Sequence, residues 1–126
     1  MKHRILVVED QPGIRKLIQM SLELGDYEVY EAPDGDTALI MAAQIKPDAV
    51  LLDVMMPGTV NGLQVCERMK RDPELGQAVV IMLSARGHQT DIDAGAKAGA
   101  DAYLVKPFSP LELIERLETS LAATVG

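Results

Sequence analysis

Five runs of apolar, largely β-branched residues recur along the chain: RILVVE (4–9), YEVYE (27–31), DAVLLD (48–53), AVVIMLS (78–84) and DAYLV (101–105). Runs this short and this rich in branched side chains read as strands. The third and fourth are apolar almost throughout, as expected of strands covered on both faces. Between them the apolar positions change to helical spacing. Ile14, Leu17, Ile18, Ser21, Leu22 and Leu24 fall mostly on one face of a helix over 12–24. Ala38, Leu39, Ala42 and Ile45 do so over 36–45, and Leu63, Val65, Cys66 and Met69 over 62–70. Residues 89–98 form an Ala/Gly-rich helix closed by Gly99. The last helix has the clearest start. In SPLE, Ser109 can cap, Pro110 suits the first turn and Glu112 completes a capping box. Leu111, Ile114, Leu117 and Leu121 then recur at helical spacing.

Strand alternating with helix five times implies an α/β fold with a parallel sheet. Right-handed crossovers put helices on both of its faces. In such a sheet, ligands bind beyond the carboxyl ends of the strands, so the residue at each exit matters. The first run ends in Glu9-Asp10, the third in Asp53 and the fourth in Ser84, and the fifth is followed by Lys106-Pro107. Aspartate is rarely buried unless it is paired or bound to a metal, which makes Asp53, at the end of an apolar strand, the residue to explain. If the first and third strands are neighbours, Glu9, Asp10 and Asp53 converge. Three adjacent negative charges require a cation, and oxygen donors without His or Cys favour Mg²⁺. Lys106 offers a point charge and Ser84 a hydroxyl for phosphate oxygens. Together these groups suit a carboxylate that accepts a phosphoryl group.

Composition narrows the partners. The 126 residues carry a formal net charge of −7 and show no basic stripe, so direct nucleic-acid binding is not expected. No apolar run approaches the ~20 residues of a membrane span. Lys2-His3-Arg4 leads directly into ILVVED, so no secretory leader is expected, and the single Cys66 fits a reducing cytoplasm. The chain reads as one domain, residues 1–122, with a C-terminal tail, 123–126.

ILVVED, LLDVMMPG, MLSA and YLVKPF, in this order and spacing, resemble the receiver domain of two-component response regulators. The likeness covers about residues 3–122. It implies a flavodoxin-like five-stranded parallel sheet of order 2-1-3-4-5 with five helices. It implies that Asp53 is the phosphoacceptor and that Glu9, Asp10, Asp53 and the backbone carbonyl of Met55 hold Mg²⁺. The N–H groups of Val54 and Ala85, the Ser84 hydroxyl and the Lys106 ammonium would bind the phosphoryl oxygens. Ser84 and Tyr103 would act as switch residues, Met55 and Arg86 would modulate dephosphorylation, and the Lys106–Pro107 bond would be cis. The implied partners are a sensor histidine kinase or histidine phosphotransfer protein and a downstream protein target, with no nucleic acid or membrane involved. Two features depart from the pattern. Glu9 stands where many members have Asp, and PGTVNG (57–62) is one residue longer than PGxxG, which leaves the start of the next helix open.

Taken singly, Asp53 could cap a turn, Glu9-Asp10 could be a solvated strand end, Ser84 reads as a turn residue, Lys106 as a surface lysine and Tyr103 as a strand aromatic. Their combination carries the functional reading. The switch could stand alone or be the receiver part of a longer regulator with an output domain. A Mg²⁺-dependent aspartyl-phosphate phosphatase would need an acid two residues after the nucleophile, and Met55 cannot move protons. A flavodoxin-like cofactor binder is disfavoured by the absence of Trp and of a phosphate loop.

Overall fold

The computed structural model describes residues 2–56 and 60–123. Strands and helices alternate: β1 (His3–Val8), α1 (Pro12–Leu22), β2 (Tyr27–Ala32), α2 (Gly35–Ile45), β3 (Ala49–Asp53), α3 (Gly62–Arg71), β4 (Val79–Ser84), α4 (Gln89–Ala98), β5 (Ala102–Val105) and α5 (Pro110–Ala123). The strands form one parallel sheet in the order β2-β1-β3-β4-β5. Every residue of β3 and β4 is buried, as their unbroken apolar character requires.

Alternate residues of the strands supply two cores. Leu6, Val8, Val50, Leu52, Val80 and Met82 meet α2, α3 and the end of α4 through Ala38, Ala42, Val65, Cys66, Met69 and Ala98. On the other face Ile5, Val7, Leu51, Ile81 and Leu83 meet Ile18 and Leu22 of α1 and Leu113, Ile114, Leu117 and Leu121 of α5. Each large aliphatic side chain so buried contributes about 1.5–3 kcal/mol, so both faces clamp the central strands whose ends form the site.

The helix ends explain where the spacing overreached. The helix expected over 12–24 stops at Leu22, because the N–H groups of Glu23, Leu24 and Gly25 turn to the carbonyls three residues back. Leu24 therefore faces solvent, and Leu17 is also exposed. Leu111 lies in the exposed first turn of α5, and the helix meets the sheet through Leu113 instead. The Ser109–Glu112 capping box forms as expected. α5 continues through Ala123, which the sequence reading gave to the tail; residues 124–126 lie outside the described residues. Pro57, Gly58 and Thr59 of the long loop also lie outside them. The helix start left open by that loop is fixed by Asn61 and Gln64, each side chain accepting the other's backbone N–H, so that α3 begins at Gly62.

Candidate functional site

The strand register assembles the site. β1 pairs with β3 up to Val8–Leu52, so Glu9 and Asp53 come level one residue later. Asp53 pairs with Leu83, and Ser84, the last residue of β4, with Val105, immediately before Lys106. Asp53, the acids Glu9 and Asp10, the Ser84 hydroxyl and Lys106 thus meet at one edge of the sheet. Carboxylate oxygens of Glu9, Asp10 and Asp53 lie within 4.8 Å of one another.

The backbone around these groups is tied down. The Glu9 N–H donates to Ala32 O (3.2 Å), and Arg15 Nη1 donates to Glu9 O (3.0 Å). The Lys106 N–H donates to Ser84 O (2.7 Å), and the Lys106–Pro107 bond is cis, as expected. Gly62 packs so closely on the end of β3 that a Cβ there would overlap the Asp53 carbonyl oxygen. Glycine at the first position of α3 is what lets the helix abut Asp53.

Glu9 is wholly buried, Asp53 is 5% exposed and the Lys106 side chain 16%. Lys106 Nζ donates to Glu9 Oε1 at 2.7 Å and lies 3.7 Å from Asp53 Oδ1. The Met55 N–H donates to Asp53 Oδ1 at 3.1 Å. Burial, reinforced by the neighbouring Asp53 carboxylate, pushes the Glu9 carboxyl up to about 7 against the opposing pull of Lys106. No donor among the described residues reaches Glu9 Oε2, which is buried. An unsatisfied buried carboxylate oxygen is costly. Together with an all-oxygen donor set, it fits a hard divalent cation held by Glu9, Asp10 and Asp53.

Asp53 opens onto a cleft of about 480 Å³ lined by Gln11, Ile14, Leu17, Met55, Ala85, Lys106, Pro107 and Phe108. A second cleft of about 510 Å³ lies beyond Met55 and is lined by Val54, Met55, Asn61, Arg86, Asp91 and Tyr103, among others. Ser84 is buried and its Oγ accepts from the Arg86 N–H at 3.0 Å. Tyr103 is half-buried and its hydroxyl donates to Arg86 O at 2.8 Å. One peptide neighbourhood therefore joins the two expected switch residues.

Two of the expected site residues, Val54 and Arg86, are engaged elsewhere in this structure. The Val54 N–H is engaged by Leu83 O at 3.1 Å, extending the sheet ladder past Asp53. Arg86 lines the second cleft and not the one onto which Asp53 opens. Arg15 and the apolar wall of Ile14, Leu17 and Phe108 went unremarked in the sequence. Arg15 sits one helical turn beyond the acids at 9–10, and that proximity of opposite charge was the available signal. Cys66 is an interior helix residue: its Sγ donates to Ala98 O, and burial pushes the thiol up to about 11.

A family model for the response regulator receiver domain matches residues 5–118. The phosphate regulon transcriptional regulatory protein PhoB of Pseudomonas aeruginosa is 42% identical over 120 residues, covering 95% of this chain and 52% of that protein. The DNA-binding dual master transcriptional regulator RpaA of Synechocystis is 40% identical over 121 residues, covering 96% and 50%. The chain thus spans about half the length of these curated relatives. A crystal structure from Chloroflexus aurantiacus superposes with a TM-score of 0.92 at 35% identity, covering 97% of this chain and 99% of that one. Sheet order, exit chemistry and these likenesses agree, and the chain belongs to the receiver domain family of two-component response regulators.

Proposed function

We propose that this receiver is a switch thrown by phosphorylation of Asp53, the phosphoryl group coming from a sensor histidine kinase or a histidine phosphotransfer protein. The observation that carries this reading is the convergence of a buried carboxylate, two further acids and a lysine at the floor of an open cleft. A carboxylate oxygen of Asp53 attacks phosphorus, the P–N bond to the donor imidazole breaks, and the imidazole nitrogen leaves with the electron pair and takes a proton from water. Lys106 balances charge on the phosphoryl oxygens. The Ala85 N–H binds them too, and the Val54 N–H can join only by leaving Leu83 O. The acids and the backbone carbonyl of Met55 would hold Mg²⁺, which supplies further charge neutralisation at the transferring group.

Drawing the Ser84 hydroxyl toward a phosphoryl group pulls on the Arg86 N–H that it accepts. That loosens the segment whose carbonyl Tyr103 holds, and the change passes to the face formed by α4, β5 and α5, where a downstream protein docks. The activity is signalling rather than turnover. A phosphatase reading lacks support, because Met55 occupies the place where a general acid is required.

The test is labelling by acetyl phosphate with Mg²⁺, followed by intact mass. The wild type should gain one phosphoryl group. Asp53→Asn, nearly isosteric but without a nucleophilic carboxylate, should gain none while keeping its fold. Label on the variant would reject Asp53 as acceptor.

A further inference from the structure

Charge pairing at the strand exits is lopsided. Lys106 Nζ is hydrogen-bonded to Glu9 Oε1 at 2.7 Å, whereas its 3.7 Å separation from Asp53 Oδ1 is beyond hydrogen-bond range. The backbones on both sides are pinned, Glu9 by Ala32 and Arg15 and Lys106 by Ser84. Side-chain length therefore decides which carboxylate the ammonium meets. A carboxylate one methylene shorter at position 9 would sit about 1.5 Å further back, out of hydrogen-bond range of the ammonium where it stands. Glu9 also presents its second oxygen, buried and without a donor among the described residues, to the acid cluster. One carboxylate thus faces the lysine with one oxygen and the cation position with the other.

We propose that Glu9 is a positioning residue that holds the Lys106 ammonium until a divalent cation takes its carboxylate, so that cation binding frees the lysine for the phosphoryl oxygens. This inference rests on the reading of Asp53 as acceptor and Lys106 as phosphoryl ligand, and adds an order of events to it. Cation and ammonium are attracted to the same buried carboxylate. Once the cation neutralises that charge, the pull on Lys106 falls, and because Asp53 shares the cation, the oxygens of an incoming phosphoryl group become the lysine's next anionic partner. Two consequences follow. The lysine weakens cation binding through Glu9 specifically, beyond its general repulsion of cations. The ammonium also loses its Glu9 bond when the cation arrives.

The experiment is a double-mutant cycle on Mg²⁺ affinity, measured by calorimetry at pH 8, where Glu9 is ionised, on the wild type, Glu9→Asp, Lys106→Met and the double variant. Lys106→Met should tighten Mg²⁺ binding by roughly fivefold or more in the wild type and by much less in Glu9→Asp, because only the longer carboxylate is held by the lysine. Equal tightening in both backgrounds overturns the proposal. In protein carrying ¹⁵N-lysine, Mg²⁺ should shift the Lys106 Nζ resonance in the wild type and leave it in place in Glu9→Asp; an unmoved wild-type resonance also overturns it. If Glu9→Asp fails to fold by its amide spectrum, Glu9→Ala, which leaves nothing for the lysine to hold, takes its place in the cycle with the same expectation. Acetyl phosphate labelling run alongside separates the two claims. Label surviving Asp53→Asn rejects the acceptor reading, whereas acceptor-dependent labelling with an additive cycle rejects only the role of Glu9.

Discussion

At the scale of single residues, the site is a problem of crowded negative charge, and Glu9 carries most of its consequences. The folded protein binds the Glu9 proton more tightly than the unfolded chain does, the value rising from 4.5 to about 7. The stability this gives the metal-free protein is fully present below about pH 4.5 and is lost as pH rises toward about 7. At about 1.4 kcal/mol per unit, the change is on the order of 3 kcal/mol. Urea melts with a chelator at pH 5 and pH 8 should show it, and Glu9→Gln should flatten the Glu9 contribution to that slope. Saturating Mg²⁺ should offset the loss at pH 8 and do little at pH 5, since a cation binds N but not U and requires the ionised carboxylate. A second prediction concerns how long the phosphoryl group lasts. Met55 is half-exposed, lines the acceptor's cleft and cannot orient water. Slow self-dephosphorylation is therefore expected. Met55→Asn should speed loss of label several-fold in Mg²⁺ buffer after donor removal. Arg86→Glu should do less, because Arg86 lines the neighbouring cleft. Equal effects of the two changes would place Arg86 over the phosphoryl group after all. Asp53 was legible in the sequence because a carboxylate closing an apolar strand violates the ordinary pattern. The Glu9–Lys106 bond was not, because it depends on a difference of one methylene read against two fixed backbones.

At the scale of elements, strands carry the site residues and helix ends set their clearances. The third and fourth strands could be read from their apolar runs to within a residue or two, since burial on both faces leaves no polar position to blur them. Helix boundaries were less secure. Leu17, Leu24 and Leu111 are apolar yet exposed, so spacing alone made the buried faces of α1 and α5 too broad. The α3 start was unreadable from loop length and was decided by a local capping box. Immediately after that cap comes Gly62, whose missing side chain makes room for the Asp53 carbonyl. Gly62→Ala should destabilise the protein by about 1–3 kcal/mol, the cost of overpacking against rigid backbone, despite the better helix propensity of Ala. It should also slow phosphoryl labelling, because either α3 or the end of β3 must shift. Gly13→Ala is the control: a Cβ there meets nothing within 4 Å, so added helix propensity should leave stability unchanged or slightly higher. Comparable losses in the two variants would mean that the Gly62 contact is slack.

At the scale of the whole molecule, the sheet order was the part least derivable from residues. Alternation of strand and helix implies a doubly covered parallel sheet, but several orders satisfy it; the order 2-1-3-4-5 came from family resemblance and is what the structure has. That order puts β3, which ends in Asp53, between β1 and β4, and it puts β5 at an edge beside α4 and α5. The helices are anchored unequally. α5 buries Leu113, Ile114, Leu117 and Leu121, whereas the buried residues of α4 are Gly95 and Ala98. Little apolar area holds α4 in place, which is the physical profile of a segment that opens at low cost. Its Gly95 abuts the Tyr103 ring, where an added Cβ would lie 3.1 Å from a ring carbon. Tyr103 in turn holds Arg86 O, and Ser84 holds the Arg86 N–H. A change at Ser84 therefore reaches α4 by contiguous contacts, through the element least able to resist it. Amide shifts on phosphorylation should extend from Asp53 through 84–87 into α4 and β5, while the distant core under α1 and β2 stays unmoved. Amide exchange in α4 should be faster than in α5 before phosphorylation and should change on phosphorylation. Tyr103→Ala should cut the spread at residue 87 without lowering the labelling rate, since the ring touches neither the acceptor nor its cleft. Shifts confined to the neighbourhood of Asp53 in the wild type would mean that the contacts joining Ser84, Arg86, Tyr103 and Gly95 are packing and transmit nothing.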